Sequence, residues 1–353
     1  MVGGLAGRWW STEGVLQIPP LVSGGIMLGY RCTNRCRHCL YRCSPDQPDE
    51  WMSLEMAAAV FEALSREPQL EGIHIAGGEP TLRMGLVEDV VRLAVDAGVP
   101  LDYLETNGSW CRDPNRTRHQ LERLRDAGLP AVLVSVSLFH NEFVPFRSTR
   151  TCVEVARRVF GPDRVVLYLP HMYTLLDRLP DDGTHRLEET CELLRIAAND
   201  PRIPASYGVI PSGRACEALR ACYACSPAES FRGRTCLGQL MSTTHFHIDH
   251  HGHLFTGMCA GMVAATVEDL HAELDPDNRP VFTTLCSDGP CGVMDLAIER
   301  HGYASRGDGY VSQCDLCLDV RAHLWRTGLY PELQPPGFYA EPPVPDMTIR
   351  TDG

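Results

Sequence analysis

Three cysteines at Cys32, Cys36 and Cys39 stand in the run Tyr30-Arg31-Cys32-Thr33-Asn34-Arg35-Cys36-Arg37-His38-Cys39. Thiolates are the ligands of iron–sulfur clusters, and a cubane normally takes four. Three at CxxxCxxC spacing leave one iron open, and an open coordination position lets a metal site bind a substrate or cofactor. Arg31, Arg35 and Arg37 are placed to offset the negative charge of such a cluster. Structural zinc is the competing reading, although zinc usually takes paired CxxC units or added histidines. Cys43 lies beyond Leu40-Tyr41-Arg42 and is not needed to define the loop. A second constellation comprises Cys236, Cys259 and the CxxC pair Cys314 and Cys317. Between Cys236 and Cys259 lies His245–Phe255 (HFHIDHHGHLF), whose alternation and Gly252 signal a hairpin. Its histidines are expected to face solvent or to lie behind metal ligands. A zinc using His245, His247 or His250 is the alternative. Cys222 and Cys225 form another CxxC, but Cys236 leads directly into the hairpin and is preferred.

The elements that must position these groups alternate. Strands are expected at Gly25–Tyr30, Glu71–Ile75, Leu101–Thr106, Ala131–Ser137, Val165–Leu169 and Ser206–Ile210. Helices are expected from Ser53 as cap to about Ser65, then Met84–Ala97, Asn115–Ala127, Cys152–Phe160 and Leu187–Asn199. Gly98 and Gly128 end two of them in the usual C′ manner. Strand–helix alternation implies an α/β fold with a parallel sheet, either doubly wound or curled into a barrel. In both, ligands bind at the carboxyl ends of the strands. The cysteine loop follows strand one, Gly77-Gly78-Glu79-Pro80 follows strand two, Thr106 and Asn107 end strand three, and His140 and Glu142 follow strand four. These loops converge on one face, with His140 and Glu142 as candidates to meet a substrate. Glycines allow close backbone approach to a ligand, and Glu79 suits a nearby cation.

The CxxxCxxC of residues 32–39 followed by the GGEP of residues 77–80 resembles the signature of the radical S-adenosylmethionine (radical SAM) superfamily. The resemblance implies a partial (β/α)6 TIM barrel over residues 21–215, with Cys32, Cys36 and Cys39 holding a [4Fe–4S] cluster. The open iron of that cluster would chelate S-adenosylmethionine and cleave it to a 5′-deoxyadenosyl radical. By the same resemblance His38 lies near the adenine, and Gly77, Gly78, Glu79 and Pro80 contact the methionine amino group. Thr106, Asn107, Ser135 and Ser137 would touch ribose and carboxylate, and Val209 or Ile210 would lie against the adenine. The segment Gly213-Arg214-Ala215 resembles a late-strand motif of the family. Residues 216–330 resemble the Twitch extension, a shortened SPASM domain, with Cys236, Cys259, Cys314 and Cys317 holding one auxiliary [4Fe–4S] cluster. Cys286 and Cys291 do not follow the ligand order of a full SPASM domain. Residues 1–20 are left as an N-terminal segment, and the Pro-rich residues 331–353 as a tail extended on the surface.

Composition bounds the function. The chain has 353 residues, 44% of them hydrophobic and 22% charged, as in a globular protein with a sizeable core. A net charge of −13 argues against nucleic acid as substrate. No apolar run reaches membrane-spanning length, and the first residues lack a signal-peptide core, so a cytoplasmic location is expected. Sixteen cysteines in a reducing compartment point to metal or redox chemistry rather than disulfides. The resemblance further implies an external electron donor such as flavodoxin or ferredoxin. The Twitch-like layout is similar to that of enzymes acting on aminocyclitols or sugars, so dehydrogenation or epimerisation of a small natural product is the leading expectation. Modification of a ribosomally made peptide is second: about 24 residues precede strand one, fewer than the recognition domain of peptide-modifying relatives. A non-catalytic iron–sulfur or zinc protein is the reading from another class.

Overall fold

Short buried strands and amphipathic helices alternate through the first half of the chain, which a computed structural model describes over residues 16–181 and 183–340. Strands β1 (Ser23–Met27), β2 (Gly72–Ala76), β3 (Leu101–Thr106), β4 (Val132–Ser135) and β5 (Val165–Tyr168) form in that order. All five residues of β2 and all four of β4 are buried, as expected for strands covered on both faces. The helices between them present one apolar stripe each. In α1 (Leu54–Leu64) the buried residues are Ala57, Val60, Phe61 and Leu64, one helical face. Ser53 caps it by accepting a hydrogen bond from the Met56 amide at 3.1 Å. Helix α2 (Met84–Asp96) buries Val87, Val90, Val91 and Ala94. Helix α3 (Pro114–Ala127) starts with proline behind an Asp113 cap and stops at Gly128, whose φ of 115° suits glycine alone. Each fully buried Val or Phe contributes roughly 1.5–3 kcal/mol relative to an exposed one.

Helices α4 (Leu138–Asn141), α5 (Phe146–Phe160), α6 (Pro170–Leu176), α7 (Leu187–Leu194) and α8 (Arg202–Tyr207) follow. Helix α5 begins earlier than expected because Pro145 sets its start, and α7 closes early where Arg195 turns to a φ of 56°. The sixth strand expected at Ser206–Ile210 does not form. Helix α8 occupies its first half, Gly208 turns left-handed with φ 69°, and Pro211 follows too soon for a strand to start. The sheet instead grows on the other side of β1. Strand β6 (Phe246–Ile248) runs parallel to β1, with His247 opposite Gly25. Strands β7 (His253–Phe255) and β8 (Ala265–Thr266) add on antiparallel. The spatial order is β5-β4-β3-β2-β1-β6-β7-β8, with β5 and β8 as free edges, so this is a partial, unclosed barrel. The hairpin expected at 245–255 is present and turns at Gly252, φ 79°.

Helices Pro280–Ser287, Gly289–His301 and Gln313–Trp325 pack beside this extension. The tail expected to lie extended on the surface is not so over its described part. Leu333, Phe338 and Tyr339 are apolar and buried, and residues 336–339 form a short helix. The remainder, 341–353, and most of the N-terminal segment 1–20 lie outside the described residues. No helix among the described residues is long and apolar enough to cross a membrane.

The turn after β2 is the tightest contact between barrel loops. The Gly78 amide donates to the Gly29 carbonyl at 2.9 Å and the Glu79 amide to the Arg31 carbonyl at 3.0 Å. A Cβ on Gly78 would overlap the Arg31 and Tyr30 carbonyls. Overpacking against backbone costs about 1–3 kcal/mol. Gly78→Ala is therefore expected to lower the unfolding free energy read from urea titration by that amount and to reduce iron bound per chain after reconstitution. Gly85→Ala, where a Cβ meets nothing within 4 Å, leaves both unchanged.

Candidate active site

The cysteine loop is held from three directions. Behind it lies the 77–79 turn. From the front, Glu79 turns its carboxylate away from the cavity and accepts from the Thr106 hydroxyl at 2.8 Å and the Asn107 amide at 2.7 Å, fixing the end of β3. From the far side comes Arg214, which is 1% exposed. Its guanidinium donates to the carbonyls of Cys36 at 2.8 Å and Cys43 at 2.9 Å, and its amide to that of Cys39 at 3.1 Å. The neighbouring Gly213 has φ 59°, and a Cβ there would overlap the Leu40 carbonyl. Donors also reach the sulfurs. The Asn34 amide lies 3.3 Å from Cys32 Sγ, and the Nδ2 groups of Asn34 and Asn107 lie 3.7 Å from Cys36 and Cys32 respectively. Burial pushes the Cys32 and Cys36 thiols up, whereas a hydrogen bond from Cys43 holds Cys39 down. Of the arginines expected to offset a cluster, Arg35 pairs with Asp46 and Arg37 with Glu142 and Glu188, all three pairs at 2.8 Å. The most deeply buried cation at the loop is Arg214, with Arg42 also buried.

The loop roofs a cavity of about 540 Å³. Cys32, Cys36, Cys39 and His38 lie on its wall, as expected, with Gly77 and Gly78 beside them. Thr106, Asn107, Ser135, His140 and Ile210 also reach it. Four expected residues do not. Glu79 is turned inward as described. Pro80 opens the short helix behind the turn. Ser137 caps α4, accepting from the His140 amide at 3.2 Å. Glu142 is locked in the forked pair with Arg37 and accepts from the Leu187 amide at 3.1 Å, so it is not a substrate-facing group. The wall also holds His74, Tyr103, Glu105 and Tyr207, which sequence reasoning did not assign to the site, and His245 and His247, which it placed elsewhere. Tyr103 and Glu105 are two apart on β3, so strand parity alone marks them as facing the same side. Burial pushes the Glu105 carboxyl up, moderated by the Ser135 hydroxyl 3.2 Å away. Burial drives His140 down to about 4, so it is neutral near pH 7, and its Nδ1 lies 2.8 Å from Ser137 Oγ. His38 packs edge-on to Tyr207 with ring centroids 4.5 Å apart, and its buried Nδ1 has no hydrogen-bond partner among the described residues.

The second cysteine group assembles around one helix start. Cys314 and Cys317 share a face of the first turn of Gln313–Trp325, which Ser312 caps. Cys236 is fixed by its amide donating to Leu285 at 2.8 Å, and Cys259 follows β7. Burial and then the neighbouring thiols of Cys317, Cys259 and Cys314 push the Cys236 thiol up. Arg321, fully buried, donates to the Ala260 carbonyl and the Tyr339 hydroxyl, both at 3.0 Å. Burial opposes its charge, but Tyr339 and the thiols of Cys317, Cys259 and Cys314 outweigh it and raise its pKa. Cys286 lies beside this group, since Cys236 feels it too. Cys222 instead donates to the Ala198 carbonyl, and Cys291 to that of Ala228. Zinc–sulfur bonds of 2.3 Å set the sulfurs of a tetrahedral site roughly 3.8 Å apart. Among the described residues, the groups of three ligand atoms within 4.8 Å of one another are His74–His245–His247 and Glu50–His250–His251, without a cysteine. No three sulfurs of either cysteine group lie within 4.8 Å of one another, a wider spacing than that of a formed zinc site. His245 and His247, expected near solvent or behind ligands, belong to the barrel cavity because β6 joins β1; His247 is buried.

A model of the radical SAM superfamily matches residues 26–166. The GTP 3',8-cyclase of Pectobacterium atrosepticum is 31% identical over 108 residues, 30% of this chain and 31% of that protein. That of Aquifex aeolicus is 30% identical over 132 residues, 35% and 37% of the two chains. The chain thus spans about a third of the length of these curated relatives. Among solved structures, BtrN in complex with AdoMet and 2-DOIA is similar with a TM-score of 0.40 and 14% identity, over 72% of this chain and 81% of that one. Native anSMEcpe with bound AdoMet and Cp18Cys peptide follows at 0.35 and 14%, over 67% and 73%.

Two outcomes test this geometry. Removing Arg214 leaves buried carbonyls without donors, each costing about 1–3 kcal/mol. Arg214→Met is expected to lower the melting temperature and the iron bound per chain together. For His140, the folded pKa of about 4 lies below the unfolded value near 6.5. Between those values the unfolded chain binds a proton that the folded chain does not, so its contribution is complete above pH 6.5 and is lost as pH falls toward 4. Urea unfolding of His140→Gln should show a flatter pH dependence across that window than the parent protein.

Proposed function

We propose that this chain, which carries a radical SAM domain, reductively cleaves S-adenosylmethionine to a 5′-deoxyadenosyl radical and uses it to take hydrogen from a small natural product. The substrate is of the aminocyclitol or sugar kind, and the outcome is dehydrogenation or epimerisation. The observation that carries the reading is the cavity that Cys32, Cys36 and Cys39 share with Asn107, Ser135 and Glu105 at the strand ends of the barrel. The three thiols fit a [4Fe–4S] cluster with one open iron: they sit on one loop, receive amide donors, and face no zinc-sized cage. Bound there, the cluster supplies the electron that breaks the S–C5′ bond.

The residues of the chain supply position and exclusion of water. Arg214 and the 77–79 turn hold the cysteine loop in place. In this reading the Asn107 side chain serves the ribose or carboxylate oxygens, Thr106, whose hydroxyl proton is given to Glu79, shapes the wall beside it, and His38 offers its unpartnered Nδ1 to the adenine edge. S-adenosylmethionine must share about 540 Å³ with the substrate, which argues for a small partner and against a peptide. No arginine or lysine lies on the wall among the described residues, so the triphosphate of a nucleotide such as GTP would find no cation there. Oxidation also needs a proton acceptor beside the substrate, and His140 and Glu105 are among the wall groups that can take one. Residues 21–215 form the catalytic unit in this reading, and 216–330 an auxiliary unit whose Cys236, Cys259, Cys314 and Cys317 hold one further [4Fe–4S] cluster. An external reductant such as flavodoxin or ferredoxin completes the system.

Anaerobic reconstitution tests this directly. About eight iron per chain are expected, and about four in a Cys32, Cys36 and Cys39 triple alanine variant. Reductant-driven 5′-deoxyadenosine should form only with the parent protein. Deuterium should pass into it from a labelled aminocyclitol or sugar and not from GTP. Zinc in place of iron, or no cleavage by the iron-loaded protein, sinks the proposal.

A further inference from the structure

Three imidazoles meet inside the barrel, deeper than the cysteine loop. His74 is the central residue of β2 and His247 the central residue of β6, and both are in register with Gly25, the central residue of the intervening β1. Successive side chains alternate faces along a strand, so the three positions lie on the same side of the sheet. Gly25 leaves the gap between the two rings open; a Cβ there would overlap Nε2 of His74. His245, just before β6, closes the group. Its ring stacks on that of His74 with centroids 5.5 Å apart and stands edge-on to that of His247 at 4.9 Å. One ring nitrogen from each lies within 4.8 Å of the other two, and all three residues line the cavity.

The surroundings keep the three rings unprotonated. Burial pushes His74 down to about 3 and His247 well below its ordinary value, with His245 adding to both shifts and His74 to that of His247. The rings are therefore neutral, with lone pairs free to bind. Two of them are oriented from behind. Tyr41 holds His247 through its Nδ1 at 2.9 Å, and His74 bonds to the Gly24 backbone. A hydrogen bond at the other ring nitrogen is the arrangement that metal-ligating histidines use to fix tautomer and direction. Tyr103 stacks on the far face of His74 at 5.0 Å and limits its swing.

We propose that His74, His245 and His247 bind one divalent transition-metal ion of the zinc class, with an open position facing the cavity. Three imidazoles and one exchangeable position are a donor set that zinc takes in catalytic sites. Water or an oxygen or nitrogen of the bound small molecule fills the fourth place. This site uses none of the cysteines and does not depend on the radical reading.

The test uses the anaerobically reconstituted protein with its cysteine sites loaded, incubated with zinc sulfate and desalted. About one zinc per chain should be retained, with an X-ray absorption shell of nitrogen or oxygen at about 2.0–2.1 Å and no sulfur at 2.3 Å. His74→Asn combined with His247→Asn should lower zinc affinity at least tenfold with iron per chain unchanged. His245→Gln, at a half-buried position less able to disturb folding, should do the same on its own. His250→Asn with His251→Asn removes the other histidine group and should leave the zinc in place. Failure of the parent protein to retain zinc, equal retention by the His245→Gln protein, or sulfur in the shell would overturn the assignment.

Discussion

Two backbone hydrogen bonds, from the amides of Gly78 and Glu79 to the carbonyls of Gly29 and Arg31, bring the ends of β1 and β2 closer than side chains would permit. The cysteine loop leaves the sheet at that contact. Because the turn must lie flat on backbone, its first two residues are glycines. Because it is so close, the third can reach across to β3 and hold Thr106 and Asn107 through its carboxylate. Cysteine loop, glycine turn and the end of β3 therefore form one rigid corner, and a distant segment, Gly213-Arg214, closes it by collecting the remaining carbonyls. The two sequence motifs occur together because each is the packing surface of the other.

Both cysteine groups sit beside a buried guanidinium, Arg214 at the first and Arg321 at the second. In each case the arginine is tied to backbone carbonyls, which spares it the several kcal/mol that an unpaired buried charge costs. Charge so placed acts through a poorly screening interior. The exposed pairs of the chain, such as Arg66 with Glu62, belong to the class worth at most about 1 kcal/mol. The buried pair Arg37–Glu142 belongs to neither. It staples the cysteine loop to the start of α7 and takes both residues out of the chemistry that spacing alone suggested.

How much of this was legible in the sequence depended on the range of the interaction that decides it. The first five strands and their helices were readable within a few residues, because capping residues, glycine stops and apolar periodicity are local. So was the cysteine loop, whose spacing is its geometry. The sixth strand was misread because Val209 and Ile210 are apolar, while the left-handed Gly208 and Pro211 around them decide the conformation. Glu79 and Glu142 were assigned to the cavity because position after a strand says nothing of which way a carboxylate turns; their partners are 28 and 105 residues away. The histidines before and within β6 were taken as peripheral, since nothing nearby in the sequence announces that β6 pairs with β1.

That last pairing has a consequence for how the molecule is made. The outer edge of β1 finds its partner only when β6 has been synthesised, more than two hundred residues later. At 5–20 residues per second, the edge waits roughly ten to forty-five seconds on the ribosome with its hydrogen bonds open. Long-range parallel pairing of this kind is slow to form and open to mispairing in the interval. Glycines at positions 24 and 25 make that waiting edge poor in the β-branched and aromatic side chains that favour strand pairing, so it offers other chains a weak template. The same gap that admits the imidazole of His74 thus also guards the chain while it is incomplete.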